Sequence, residues 1–253
     1  MKEKVAVQQS FGKNKAGYIT SPTHAQGEDL DIMIDWLQPS TQMRALDIAT
    51  GGGHVAKRLA PYVEHVFAID LTKPMLEETA DFLQAEKNID YIIADAEQLP
   101  FLDHQFDLVT CRVAAHHFPH PAHFISEVER VLKPGGKFLL IDNVAPEAND
   151  ADTFINHLEK TRDFSHVREY KVSEWKEMFA ATKLQFMQDQ LWKKELPFDD
   201  WVDRTIDDSK TRNDIEQILL QADETLRLYF DIQIKDDHVS SFTIDTWNAL
   251  YEK

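Results

Sequence analysis

Between an apolar run of strand length and an amphipathic stretch stands Leu46-Asp47-Ile48-Ala49-Thr50-Gly51-Gly52-Gly53-His54. Glycines at such a junction let the backbone turn tightly and approach a ligand that larger side chains would keep away. The surroundings repeat the arrangement: over residues 44–144 short apolar runs alternate with helix-like stretches, the sign of parallel βαβ units. The spacing predicts strands over residues 45–49, 65–70, 89–94, 106–111 and 137–143. Helices are predicted over 54–60, 74–86 and 123–132, with another over 28–37 ahead of the first strand. Leu132-Lys133-Pro134-Gly135-Gly136 closes a helix and feeds a strand, since proline cannot continue a helix and glycine accepts positive φ. The fold class is α/β.

Beyond residue 143 the pattern changes. Helices are predicted over 151–160 and 173–180, a strand over 184–191, helical segments over 197–206 and 213–230, and a closing strand over 240–247. Strands bunched with helices in this way predict an antiparallel edge on an otherwise parallel sheet. Residues 12–27 read as a polar loop with little apolar periodicity. No repeat or flexible linker interrupts the chain. It is read as a single domain, with an N-terminal lid and helix (1–43), a core (44–143) and substrate-side helices with antiparallel strands (144–253).

Charge narrows the partners. Asp and Glu number 44 against 27 Lys and Arg, a net of −17, and such a surface repels phosphate backbones and anionic lipid. No basic patch offsets it: Lys193-Lys194 and the dispersed Arg162, Arg168 and Lys171 are interleaved with acids. No run reaches the roughly 18 apolar residues of a membrane span, and the first ten residues lack the apolar segment of a secretion signal. The expectation is a cytoplasmic monomer or homodimer that binds neither nucleic acid nor membrane. The one cysteine, Cys111, excludes an intramolecular disulfide and a multi-cysteine metal site, and no metal site is predicted.

The second predicted strand ends at Asp70, 19 residues beyond Gly51. An acid there can accept hydrogen bonds from both hydroxyls of a ribose, as in dinucleotide folds. Asp47 and Asp95 also fall at or near strand ends, so three carboxylates ring one crevice. Three adjacent glycines do not give the G-x-G-x-x-G register that seats a pyrophosphate. The acids suit a cationic group better. The residues lead to a nucleoside bearing positive charge.

Five motifs in order over residues 44–143 resemble those of class I S-adenosylmethionine (SAM)-dependent methyltransferases. The glycine turn resembles their first motif, and Ala68-Ile69-Asp70-Leu71-Thr72-Lys73-Pro74-Met75-Leu76 their second-strand segment. Ala94-Asp95-Ala96-Glu97-Gln98-Leu99-Pro100-Phe101 resembles the adenine-edge segment, and Phe106-Asp107-Leu108-Val109 the fourth strand. Leu132-Lys133-Pro134-Gly135-Gly136-Lys137-Phe138 is similar to the loop before the fifth strand. Within the family the chain is most similar to the methyltransferase type-11 group, which contains ubiquinone/menaquinone-biosynthesis-like C-methyltransferases.

The resemblance implies a Rossmann-like fold, with a mostly parallel seven-stranded sheet, an antiparallel edge and helices on both faces. It also implies SAM as methyl donor, S-adenosylhomocysteine as product and a small-molecule acceptor. By it Asp70 holds the ribose, Leu71 and Met75 pack on the adenine, and Asp95 with Ala96 flanks the adenine edge. Asp47 lies near the methionine amino group, Gly51 and Gly53 shape the turn, and Arg112 and Val113 line the methionine tail. Ala49 stands where the family has its first glycine, and a Cβ there crowds the methionine end. Phe11-Gly12-Lys13-Asn14-Lys15-Ala16-Gly17-Tyr18 resembles the N-terminal segment that folds over the cofactor, where Tyr18 can shield a sulfonium.

Methyl transfer is an in-line displacement governed by positioning, and needs a base only if the nucleophile must lose a proton. His116 and His117 follow the fourth strand, and an ordinary histidine titrates near neutrality. His117 is therefore the candidate base, with His116 beside the substrate. Arg162, His166 and Arg168 lie where the family builds its substrate lid; two arginines can grip an anion or form surface ion pairs. Asn143 closes the fifth strand and can present its amide to the crevice. Competing readings are a non-catalytic SAM-binding protein and a nucleotide-dependent oxidoreductase, the latter disfavoured by the glycine register.

Overall fold

The computed structural model describes residues 2–20, 27 and 29–253, with side chains for 2–12, 27 and 29–253. Five parallel strands carry the first half: β1 (Arg44–Ile48), β2 (His65–Asp70), β3 (Ile89–Ile93), β4 (Phe106–Arg112) and β5 (Leu132–Val144). Two antiparallel strands, β8 (His238–Glu252) and β6 (Gln185–Pro197), extend the sheet in the order β3-β2-β1-β4-β5-β8-β6. The three-residue β7 (Gln233–Lys235) pairs with β8 off this path, so an eighth short strand joins the seven expected.

Helices cover both faces. On one, α5 (Pro121–Val131) starts on a proline fixed for a first helical turn. Its Phe124, Ile125, Val128 and Val131 meet Phe106 and Phe138 of the sheet, with Trp175 and Phe179 from α7 (Val172–Ala180). On the other, α2 (Asp29–Leu37) and α3 (His54–Leu59) bury Leu30, Met33, Leu37, Val55 and Leu59 against Ala45, Val66 and Leu139. Next in the chain, α4 (Lys73–Phe82) follows β2. A further apolar cluster joins α6 (Asn149–Arg162), α8 (Phe198–Val202) and α9 (Ser209–Leu220) to the first half of β8, around Trp201, Phe230 and Phe242.

Two of the helices differ from sequence expectation. Residues 12–20 are not a loop but the second half of α1 (Lys2–Thr20). That helix has no apolar stripe of its own; point contacts with the crevice fasten it, as described below. Residues 213–230 are two helices, because the Asp223 carboxylate accepts from Leu226 N–H at 2.9 Å and starts α10 (Glu224–Tyr229) anew.

The chain leaves β1 outward to β2 and β3, then returns past β1 to β4. This reversal opens a crevice at the carboxyl ends of β1 and β4, where open α/β sheets collect ligands.

Candidate functional site

The crevice encloses about 1050 Å³ of space opening to solvent. The β1–α3 turn forms one wall, because Ala49 and Gly51 both take left-handed φ, 54° and 51°. A Cβ on Gly51 would stand in open space, its nearest neighbour the Ala49 carbonyl at 3.9 Å. The missing side chain thus leaves room for a ligand against the backbone. Gly53 serves another purpose. Its Cβ would meet Thr79 at 2.5 Å and Leu83 at 2.8 Å, and it starts α3 at φ 76°, so it permits helix packing while Gly52 lines the crevice. Sequence reasoning singled out Gly51 and Gly53 of this turn and passed over Gly52, which lines the crevice.

Asp70 ends β2 with Oδ2 accepting from Gly51 N–H at 3.1 Å and Oδ1 from Thr72 N–H at 2.8 Å. Burial raises its pKa against these donors and smaller contributions from the Thr72 hydroxyl and the Leu71 N–H. Each oxygen keeps a lone pair for a donor arriving from the crevice. Leu71 and Met75 form the apolar wall beside it. Asp47, buried on β1, accepts from Thr50 Oγ1 at 2.6 Å and Thr110 Oγ1 at 3.0 Å. Burial nevertheless pushes its pKa up to about 6, because two neutral hydroxyls and the more distant Arg112 do not replace its lost hydration. Thr110 was not foreseen, though the parallel register sets it directly opposite Asp47.

Asp95 turns Oδ1 to Glu97 N–H at 3.0 Å and Oδ2 to Lys4 of α1 at 2.5 Å; Lys4 also reaches Glu97 at 2.6 Å. Gln8 of α1 donates to the Leu71 carbonyl at 2.9 Å. The helix therefore lies across the crevice mouth and pairs Asp95 with a lysine. Tyr18 falls on α1, but its side chain lies outside the described residues. Arg112 lines the far side, with its guanidinium forked onto Asp29 of α2. Next to it Val113 sits at φ 51°, costly for a β-branched residue, and is pinned by its N–H to Ile141 O at 2.7 Å.

At the other rim a one-turn 3₁₀ segment, Ala115–His117, buries both histidines. His117 lines the crevice, edge-on to Phe11 of α1 at 5.1 Å between ring centroids. Its Nδ1 lies 3.1 Å from Ser165 O; a carbonyl only accepts, so Nδ1 carries the proton and Nε2 is bare. His116 turns away from the crevice. Its Nδ1 lies 2.6 Å from Asp142 Oδ1, and its N–H donates to Asp142 Oδ2 at 3.0 Å. Burial alone would lower its pKa, but the Asp142 charge outweighs it and lifts the imidazolium to about 9. Burial, then that cation 4.3 Å away, drive His117 down to about 3. His117 thus stays neutral at physiological pH, and the sequence expectation of titration near neutrality is corrected.

The remaining acceptor-side candidates do not line the crevice. His166 is buried with Nε2 3.1 Å from Asn156 Oδ1, and burial followed by the other two histidines holds its pKa at about 2. Arg162 pairs with Glu159 at 2.8 Å and lies over the Trp201 ring. Arg168 bridges Asp152 and Glu174 and covers Tyr170. The ion-pair alternative describes both arginines. The Asn143 amide oxygen faces Thr246 Oγ1 on β8 at 3.5 Å. Glu169, 1% exposed, has neither carboxyl oxygen hydrogen-bonded among the described residues, and burial raises its pKa well above the ordinary range.

Comparison with known proteins adds the family. Residues 46–140 match the family described as a methyltransferase domain. The chain is 43% identical over 196 residues to the uncharacterized methyltransferase YcgJ of Bacillus subtilis, covering 77% of this chain and 78% of that protein. The crystal structure of the YcgJ protein superposes with a TM-score of 0.87 at 38% identity, over 89% of this chain and 98% of the other. A ubiquinone/menaquinone biosynthesis C-methyltransferase of Ruegeria is 37% identical over 117 residues, 44% of this chain and 47% of that one. Among the described residues no helix is long and apolar enough to cross a membrane.

Proposed function

Because this chain belongs to the class I SAM-dependent methyltransferases, we propose that its crevice positions SAM against a small-molecule acceptor with a carbon, oxygen or nitrogen nucleophile. One observation carries the reading: Asp70 faces the open space above Gly51, in a crevice whose other acids are Asp47, Asp95 and Glu97. A ribose diol fits the first and a cation fits the ring.

In this reading Asp70 accepts from both ribose hydroxyls, and Leu71 and Met75 hold the adenine between apolar surfaces. Asp95, beside Ala96, accepts from the adenine amine after Lys4 gives way. Asp47 faces the ammonium group directly or through water. The backbone of Ala49 and Gly51 supports the amino-acid tail, with Arg112 and Val113 opposite. Bound SAM supplies an electrophilic methyl carbon on a sulfonium. The protein's part is to orient, to exclude water with Phe11 and Phe118, and to take the acceptor's proton on His117 Nε2. His117 is neutral and so able to accept at physiological pH, and a base this weak takes a proton only as the acceptor's own proton grows acidic while the new bond forms. Residues 1–253 act as one domain in this scheme.

Calorimetry with SAM, S-adenosylhomocysteine and NAD tests the reading. The first two are expected to bind and NAD is not; a preference for NAD would return the oxidoreductase. A metabolite library scored by S-adenosylhomocysteine release then finds the acceptor. SAM binding without release from any acceptor would make the protein a SAM-binding module instead.

A further inference from the structure

His117 reaches the crevice from a chain of buried polar groups that the scheme above does not use. Ser165 O accepts the Nδ1–H hydrogen bond at 3.1 Å, and Ser165 Oγ lies 3.4 Å from the same nitrogen. That serine is held from both ends: its N–H donates to Asp163 Oδ1 at 2.8 Å and its hydroxyl at 2.6 Å. A third donor, Ser10 Oγ of α1, reaches the same oxygen at 3.2 Å. Asp163, Ser165 and Ser10 are all buried, at 4, 1 and 6% exposure. A carboxylate buried among three donors aimed at one oxygen fixes the segment that fixes the imidazole. We propose that Asp163, acting through Ser165, is the positioning residue of His117, holding it as the Nδ1–H tautomer with Nε2 bare toward a protic methyl acceptor.

The proposal rests on His117 being the proton acceptor. On that footing the acceptor's proton passes to Nε2 as the acceptor's electron pair forms the bond to the methyl carbon. The former carbon–sulfur pair stays on sulfur, so the positive charge of the sulfonium reappears on the imidazole until solvent takes the proton. That charge arises 4.3 Å from the His116 ring, which Asp142 keeps cationic, while His166 stands 6.4 Å away and Arg162 adds a further positive charge. Among the described residues acting most strongly on His117, Asp163 is an ionised group that favours the new charge. Burial works against Asp163, but the charge that His117 gains on protonation, the two Ser165 donors and Arg162 hold its carboxyl below the ordinary range. Ser10 and Phe11 belong to α1, which also carries Lys4 and Gln8. The helix over the cofactor side thereby completes the acceptor side.

The test needs no acceptor. Long-range proton–nitrogen spectra of the full chain, labelled with ¹⁵N-histidine and saturated with S-adenosylhomocysteine, report the tautomer of each ring. His117→Asn identifies the signal. The parent is expected to show Nδ1–H and bare Nε2 from pH 8 to 5. Asp163→Ala is expected to shift the His117 tautomer ratio roughly threefold to tenfold toward Nε2–H, the worth of about one hydrogen bond. Asp163 lies outside the crevice lining, so saturating S-adenosylhomocysteine fills the site in the variant as in the parent. If Asp163→Ala does not fold, Asp163→Asn is read instead: a neutral amide oxygen holds three donors less well, and a smaller shift in the same direction is expected. An unchanged ratio in a folded variant, or a parent ring protonated on Nε2, overturns the positioning role. The base reading fails separately, if His117→Asn releases S-adenosylhomocysteine as fast as the parent with the acceptor found in the screen.

Discussion

The crevice above the glycine turn and the histidine cluster beside it are built from the same material, acids at the carboxyl ends of parallel strands, and they end as opposites. Asp70 at the end of β2 accepts two backbone N–H groups and keeps capacity facing open space. Asp142 near the end of β5 is wholly buried, and both its oxygens are taken by His116. An acid that retains lone pairs toward a cavity is available to a ligand, whereas one saturated by its own chain sets the charge of a neighbour. Position in the topology brings acids to this end of the sheet; the next layer of packing decides which kind each becomes.

Breaking the sealed side should cost most. Asp142→Asn leaves the His116 cation buried without its counter-charge, a change of about 3–5 kcal/mol in stability by urea unfolding. The pH dependence follows in sign. His116 has a folded pKa of about 9, above the ordinary 6.5, so its stabilisation is complete below 6.5 and disappears as pH rises through 9. The parent should lose stability over that window, and Asp142→Asn should lose much less. A variant as stable as the parent at pH 6 would mean that no ion pair is sealed there.

On the open side the effect moves from stability to binding. If Asp70 accepts from both ribose hydroxyls as proposed, Asp70→Ala costs roughly 1.5–3 kcal/mol, and SAM affinity should drop about tenfold or more. Unchanged affinity in calorimetry with the fold intact would remove Asp70 from the ribose.

How much of this contrast was legible in the sequence depends on distance along the chain. The glycine turn, the five parallel strands and the place of Asp70 at the end of β2 were readable because a βαβ unit writes its strand, turn and acid within about thirty residues. The fate of His117 was not, because Ser165 lies 48 residues away and the His116–Asp142 pair spans 26. Nothing in the spelling Ala115-His116-His117-Phe118 says that one ring is held cationic and the other neutral. α1 escaped for another reason: with no apolar stripe, its helix depends on Lys4, Gln8, Ser10 and Phe11 meeting groups far along the chain.

Asp47 stands between the two kinds, buried like Asp142 yet bordering the crevice like Asp70. With a pKa near 6, it should be about half protonated at pH 6 in the free protein. A bound ammonium favours the charged form, so SAM affinity should rise with pH through 6 and level above it. Calorimetry at pH 6 in buffers of differing ionisation heat should show release of about half a proton per SAM bound. Asp47→Asn should abolish it. Equal heats in all buffers for the parent would separate Asp47 from the ligand's cation.

The smallest effect tests whether the turn itself is set for binding at the expense of stability. Ala49 stands where relatives by resemblance carry glycine, and its φ of 54° is a left-handed conformation. An L-residue there costs roughly 1–2 kcal/mol. From the sequence alone Ala49→Gly looks destabilising, through about 0.5–1 kcal/mol of added backbone entropy in the unfolded chain. The positive φ reverses that sign, because relieved strain exceeds the entropy by up to about 1 kcal/mol. In a chain of this length the melting temperature of the cofactor-free protein should rise by about 1–4 °C. SAM affinity should hold or tighten, since removing the Cβ clears space beside the amino-acid tail. A lower melting temperature would show that the Ala49 methyl group packs well enough to offset its strain, and that the turn is held by the protein's interior and not kept open for a ligand.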